Sequence, residues 1–338
     1  MPKIMMRTLL FGLMLLGACV DGGDIVIGER FVGAWVSGGG SPERIAATRA
    51  QITNASFRGL LDVAQVNGCG WEVKTASSSL NGSTTKKVAS TLQVNLTQWN
   101  SEGCQSILSA LGSTGVEVHM WIGTVPDDVF EDSDPFIESV LKLLKKYKQV
   151  RGIHWDDEKE CAPRATLANF TKWIDFNNKL SDVLHDHGVK VSAAVQAMFG
   201  IENVPYVKNA PCARAPWEYS TSKDLVQLLS RARVDRFIEM DTYYFTLSRY
   251  LDALDWYSQH VPLNHLGVAV ANKDVNPLAS ADEFTARMHA LDKSGADWFN
   301  IFMMPIDDVW IEYAWRWKTR CKGCPNLGCF EMDVKCKR

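Results

Sequence analysis

Apolar and polar positions along the chain repeat one pattern: a short β-rich apolar run, a segment with apolar residues at helical spacing, then another run. The first run, residues 31–36, stops at Ser37 and three glycines. Ser41-Pro42-Glu43 then opens a helix, with Ser at the N-cap and Pro at the first helical position. Residues 59–66 form a second predicted strand, followed by a polar stretch and a helix over about 98–111. The third strand, 116–124, reads VEVHMWIGT. Segment 135–147 places Ile137, Val140, Leu141 and Leu144 on one helical face. The fourth strand is 149–158, and the helix after it, 167–187, ends at Gly188, the usual place for a left-handed cap. A fifth strand at 190–197 precedes an irregular insert carrying Pro205, Pro211, Cys212 and Pro216. Three more units follow, with helices at 223–233, 247–260 and 281–293 and strands at 235–243, 266–271 and 298–304. An amphipathic helix at 309–317 closes the series.

Eight strands alternating with helices over residues 31–317 predict an α/β fold, a (β/α)8 TIM barrel built as one domain across 24–317. No G-x-G-x-x-G follows the first strand and no G-x-x-x-x-G-K-[ST] occurs, which argues against dinucleotide and P-loop readings. No cofactor is expected.

Composition changes this picture mainly at the two ends. The chain has 338 residues, 46% hydrophobic and 22% charged, with a formal net charge of −3, so no basic field draws it to nucleic acid. Lys3 and Arg7 precede an apolar run at 9–16 and the small residues Gly17 and Ala18, the pattern of a signal peptide over 1–18. That run is too short to span a bilayer. Leu16-Gly17-Ala18-Cys19 also resembles a bacterial lipobox, which would tether the chain to a membrane through Cys19. Of nine cysteines, leaving out Cys19 gives an even set: Cys69, Cys104, Cys161, Cys212, Cys321, Cys324, Cys329 and Cys336. In an exported chain that predicts up to four disulfides, including a disulfide-bonded Cys-rich tail over 318–338. Zinc is the weaker reading of that tail, because only its first cysteine pair has short spacing. Sequons begin at Asn54, Asn81, Asn95 and Asn169, and carry glycans only in a eukaryotic host. The expected state is a secreted monomer, with a bacterial lipoprotein or a secretory-lumen protein as alternatives. Twelve Trp residues suit a large barrel core first and sugar-stacking platforms second.

Barrel active sites lie at the C-terminal ends of the strands. The fourth strand ends in Arg151-Gly152-Ile153-His154-Trp155-Asp156-Asp157-Glu158. Side chains alternate along a strand, so His154, Asp156 and Glu158 share one face and Trp155 and Asp157 the other. Two carboxylates about 7 Å apart along one face raise the pKa of one of them. A carboxylic acid kept protonated near neutrality can donate to a leaving group. Further candidates sit at other strand ends: Trp35 as a sugar-stacking floor or as core, Gln196 and Asn272 as substrate-binding amides, and Asp241 and Tyr243 on the sixth strand.

Gly152-Ile153-x-x-Asp156-x-Glu158 resembles the fourth-strand signature D-G-x-D-x-D-x-E of glycoside hydrolase family 18, the chitinases and endo-β-N-acetylglucosaminidases. The resemblance implies that Glu158 is the general acid and that Asp156 orients the substrate's N-acetyl group, whose carbonyl attacks the anomeric carbon. It implies a β-linked N-acetylglucosamine polymer or an N-glycan core as substrate. Arg151 and His154 replace the family's first two aspartates, and two expectations follow for His154: that it donates to Asp156 and, as a cation, holds it ionised, or that the replacement marks altered or lost catalysis. The family's sixth-strand M-x-Y-[DN] is met by Met240 with Tyr243 one position late. Either a bulge restores the register, or Glu239, Asp241 and Tyr243 form the inward set.

Three rivals stay open. Carboxylates on strands four and six also suit a retaining glycosidase of another family. His119, His154, Asp156 and Glu158 could ligate a metal, although strand one lacks His-x-His. The barrel could also bind sugars without catalysis, as lectin-like relatives of the family do.

Overall fold

The computed structural model describes residues 30–75, 89–123, 125–156, 167–195, 230–239, 247–261, 266–271 and 281–319. Eight parallel strands close into a barrel: β1 (Phe31–Ser37), β2 (Val63–Asn67), β5 (Glu117–Ile122), β6 (Val150–Trp155), β7 (Lys190–Val195), β8 (Arg236–Glu239), β9 (Leu266–Ala271) and β10 (Trp298–Phe302). They follow one another around the wall in chain order, and β10 pairs back onto β1. The expected (β/α)8 barrel is the fold observed.

The alternation in the sequence becomes two shells. Val32, Ala34 and Val36 of β1, Ala64 and Val66 of β2, Ile153 and Trp155 of β6, and Phe299 and Ile301 of β10 point outward into a continuous apolar layer. Helical residues complete it: Ile107 and Leu111 from Glu102–Thr114, Phe136 and Val140 from Asp134–Lys146, and Leu180 and Leu184 from Leu167–His185. Each Val, Leu, Ile or Phe among them contributes roughly 1.5–3 kcal/mol on leaving water. The many Trp residues serve the core reading, since Trp35, Trp155, Trp173 and Trp317 are each 2% exposed or less.

Part of the barrel interior is polar. Gln65 on β2 donates through Nε2 to Asn300 Oδ1 on β10 at 3.1 Å, and Trp298 Nε1 donates to the same oxygen at 3.2 Å. Nearer the N-terminal ends, Lys190 Nζ reaches Glu117 Oε2 at 3.1 Å, and Glu117 Oε1 pairs with His119 Nε2 at 2.8 Å. Arg236 pairs with Asp297 and lies over the Trp298 ring, 4.9 Å from its centroid. Glycines make room for these groups. A side chain at Gly33 would collide with Asn300 Oδ1, and one at Gly152 would stand 2.5 Å from the His119 ring.

Three local expectations need correction. The second strand begins at Val63 rather than at residue 59, because Gly59, at φ +81°, belongs to a turn. The polar stretch after it holds an antiparallel pair, β3 (Trp71–Thr75) with β4 (Ser90–Val94), in which Trp71 faces Val94 and Val73 faces Leu92. The helix expected over 98–111 is two helices, Leu96–Trp99 and Glu102–Thr114, the second restarted by Ser101, whose side chain accepts from Cys104 N. A Cys69–Cys104 disulfide ties the end of β2 to that second helix and is the one bridge among the described residues. The Cys-rich tail lies outside them.

Gly33→Ala should lower the unfolding free energy in urea by about 1–3 kcal/mol through overpacking of the interior. Gly112→Ala, in a helix with open space around the added methyl, should raise it by about 0.5–1 kcal/mol. Equal effects would show that the interior does not close tightly on Gly33.

Candidate active site

The site grows from the register between β5 and β6. Val118 pairs with Val150 and His119 with Gly152, so a bulge leaves Arg151 unpaired and exposed. From there the alternation is regular: Ile153 and Trp155 go outward, Gly152 and His154 inward. Trp155 packs between Phe136 and Phe176, with ring centroids 5.8 and 5.5 Å away. The ladder continues one residue past the strand, with Asp156 N donating to Ile122 O at 2.8 Å. That holds Asp156 at the C-terminal rim, on the interior side, as the sequence predicts.

His154 is completely buried. Its Nε2 accepts from Trp35 Nε1 at 3.1 Å, across the interior from β1. In a neutral ring the proton then sits on Nδ1, which stands 2.9 Å from Ser192 Oγ on β7 and donates to it. Burial, helped by the charge of nearby His119, pushes the imidazole down to about 3. This corrects two expectations. His154 neither donates to Asp156 nor charges to hold it ionised, because both ring nitrogens are taken by Trp35 and Ser192.

Asp156 takes its partner from another strand. Trp121 Nε1, on β5, donates to Asp156 Oδ2 at 2.9 Å. The other oxygen, Oδ1, is buried and has no hydrogen-bond partner among the described residues. Burial pushes the carboxyl up to about 6, against the lowering effect of the Trp121 hydrogen bond. Here is a carboxyl that exchanges its proton near neutrality and keeps one lone-pair-bearing atom uncommitted. Sequence reasoning missed Trp121, although alternation from the inward His119 already puts it on the inner face near the strand end.

An aromatic layer lies around and beneath. Trp35, Ala194 and Ile238 form its buried centre, with Trp121, Phe302 and Met303 packed against it. Trp35 meets Phe302 edge-on at 5.5 Å and His154 at 5.6 Å. At 1% exposure, Trp35 is core, which corrects its alternative reading as a sugar-stacking floor. Trp121 and Phe302 are the half-buried aromatics of this layer.

Glu158, Gln196, Asp241, Tyr243 and Asn272 lie outside the described residues, as do Asp157 and Met240. The described part of β8 alternates as the other strands do. Phe237 belongs to the outer apolar layer and Ile238 to the interior centre. Met240, Asp241 and Tyr243 follow the described end of β8 at Glu239. Among the described residues no group of three His, Cys, Asp or Glu side chains is placed to hold a metal ion.

The sequence matches no protein-family model and no curated protein. Its fold does match solved structures. A class V chitinase from Pseudomonas fluorescens superposes with a TM-score of 0.60 at 12% identity, over 85% of this chain and 98% of that one. A family 18 chitinase from Pseudoalteromonas aurantia gives 0.52 at 11% identity, over 85% and 99%. The spore cortex-lytic enzyme SleL from Bacillus megaterium gives 0.56 at 10% identity, over 85% and 75%. At these identities the likeness is one of fold: the chain has a barrel of the glycoside hydrolase family 18 kind.

A carboxyl raised from 3.8 to about 6 keeps its proton in the folded state where the unfolded chain has already lost it. Its contribution to stability is therefore fully present below pH 4 and lost as pH rises towards 6. Asp156→Asn does not ionise and should gain on the wild type between pH 4 and pH 7, by up to about 3 kcal/mol at 1.36 kcal/mol per pKa unit. Urea unfolding of both proteins at the two pH values checks this, and a stability difference that does not change with pH counts against it.

Proposed function

We propose that this chain is a secreted glycoside hydrolase that cleaves β-linked N-acetylglucosamine-containing glycans by substrate-assisted acid catalysis. The observation that carries the reading is Asp156: an inward carboxylate at the end of the fourth barrel strand, anchored by Oδ2 and uncommitted at Oδ1. An acetamide N–H donating to Oδ1 would turn the acetamide carbonyl towards the anomeric carbon. Ionised Asp156 would then stabilise the positive charge that develops on the acetamide as the carbonyl attacks. Glu158, two residues further along the same alternation, is assigned the general acid that protonates the departing glycosidic oxygen; the assignment rests on the motif. The family-18-like barrel supports the placement of such chemistry at this rim.

Export is part of the proposal. The leader-like segment at 1–18 motivates it, and the Cys69–Cys104 bridge suits an oxidising compartment. A monomer is expected.

A second reading has its own observation. The family's first two aspartates are replaced by an exposed Arg151 and by a neutral His154 committed to other strands. That would suit a barrel that binds sugars without cleaving them.

The test is a product screen on chitooligosaccharides and high-mannose glycans with the wild type and Glu158→Gln. Cleavage by the wild type should fall about 10²–10⁴-fold in the variant, the usual contribution of a general acid, with binding retained. A wild type that binds these glycans and cleaves none of them is the sugar-binding barrel instead.

A further inference from the structure

Among the described residues, one side chain holds Asp156. His154, directly below, spends both nitrogens on Trp35 and Ser192. Trp35 has given its single N–H to His154. Ala194, Ile238 and Phe302 have no side-chain donor. Among the described residues the side-chain donor to Asp156 is the indole N–H of Trp121, at 2.9 Å from Oδ2.

The indole itself has little freedom. Its ring centroid lies 6.4 Å from that of Trp35, 6.5 Å from His154 and 6.5 Å from Phe302, tilted or edge-on to each. Pairing of Trp121 with His154 fixes its backbone height at the rim. A side chain wedged on three sides presents its N–H in one direction, and that direction selects one rotamer of Asp156. The two indoles divide the work: Trp35 occupies the histidine that replaces an aspartate, and Trp121 supplies the donor that this histidine cannot.

We propose that Trp121 is the positioning residue for Asp156, fixing one carboxylate oxygen so that the other, Oδ1, is presented to the amide N–H of an N-acetylated substrate. This rests on the glycosidase reading above for its consequence, but not for its geometry. A donor to the ionised carboxylate also restrains it while charge develops on the substrate, so the effect belongs in turnover more than in ground-state binding.

The experiment has two arms on the full-length protein. In the kinetic arm, Trp121→Phe keeps an aromatic ring in the wedge and removes the N–H. It should lower kcat about 10- to 100-fold, the range expected on losing a hydrogen bond to a charged group, while KM changes less than about threefold. An unchanged kcat overturns the proposal, and so does a loss confined to KM. The second arm needs no activity. In ¹⁵N-indole-labelled protein, the Trp121 N–H resonance is identified by its absence in Trp121→Phe, or, should that variant not fold, in Trp121→Tyr. It should exchange slowly with D₂O in the wild type and at least tenfold faster in Asp156→Ala. A Trp121 resonance whose shift and exchange are unaffected by Asp156→Ala overturns the proposal. If the wild type cleaves no glycan, the glycosidase reading fails, and the labelled-indole arm alone decides the positioning.

Discussion

Trp35 Nε1 reaches His154 Nε2 across the barrel at 3.1 Å, and the upper interior is organised around that bond. A closed barrel leaves inward polar groups no water to turn to, and an unpaired one costs about 1–3 kcal/mol. Most of the bonds that satisfy them here run to another strand. With Nε2 occupied as an acceptor, Nδ1 must donate, and Ser192 on β7 stands where that proton goes. Three strands that are distant in sequence are thereby held at one height. The same rule shapes the layers below, where Gln65, Trp298 and Asn300 share hydrogen bonds and Glu117 bridges Lys190 and His119.

The chemistry at the rim follows from that commitment. A histidine engaged on both sides stays neutral and contributes no positive charge beneath Asp156. The carboxyl is left with burial, which raises its pKa, and with a single indole donor, which partly offsets the rise. In the family 18 signature an aspartate occupies the place of His154. Here the replacement is not an isolated departure, because Trp35 and Ser192 on two other strands are matched to it. A catalytic or binding role for this rim therefore has to work with a neutral floor, a half-buried aromatic wall and one uncommitted carboxylate oxygen.

Much of the architecture was legible from local pattern. Strand β9 was read to the residue, Leu266–Ala271, because it is a continuous apolar run bounded on both sides by polar residues. The split of Trp155 from His154 and Asp156 was also legible, since alternation is a property of extended backbone itself. The β3–β4 pair was not. Its apolar positions at Trp71, Val73, Leu92 and Val94 do alternate, but they lie among charged and hydroxyl residues, and only pairing across the two strands makes the pattern a sheet. The helix break at Ser101 was hidden for a related reason: a serine in a helical run becomes a cap only once its side chain accepts from Cys104 N.

By itself, the sequence determined the barrel and the inward set of His154 and Asp156 at the end of its fourth strand. These rest on periodicity and on spacing within a few residues. The partners of that set were decided only by the tertiary structure. Trp35 lies 119 positions from His154, Ser192 lies 38 from it, and Trp121 lies 35 from Asp156. No local rule links such positions, and the protonation state of a buried group depends on which of them close around it. The expectation of a charged histidine beside Asp156 was sound for a pair in isolation. It gave way because barrel closure brought an indole donor and a serine hydroxyl to the imidazole first.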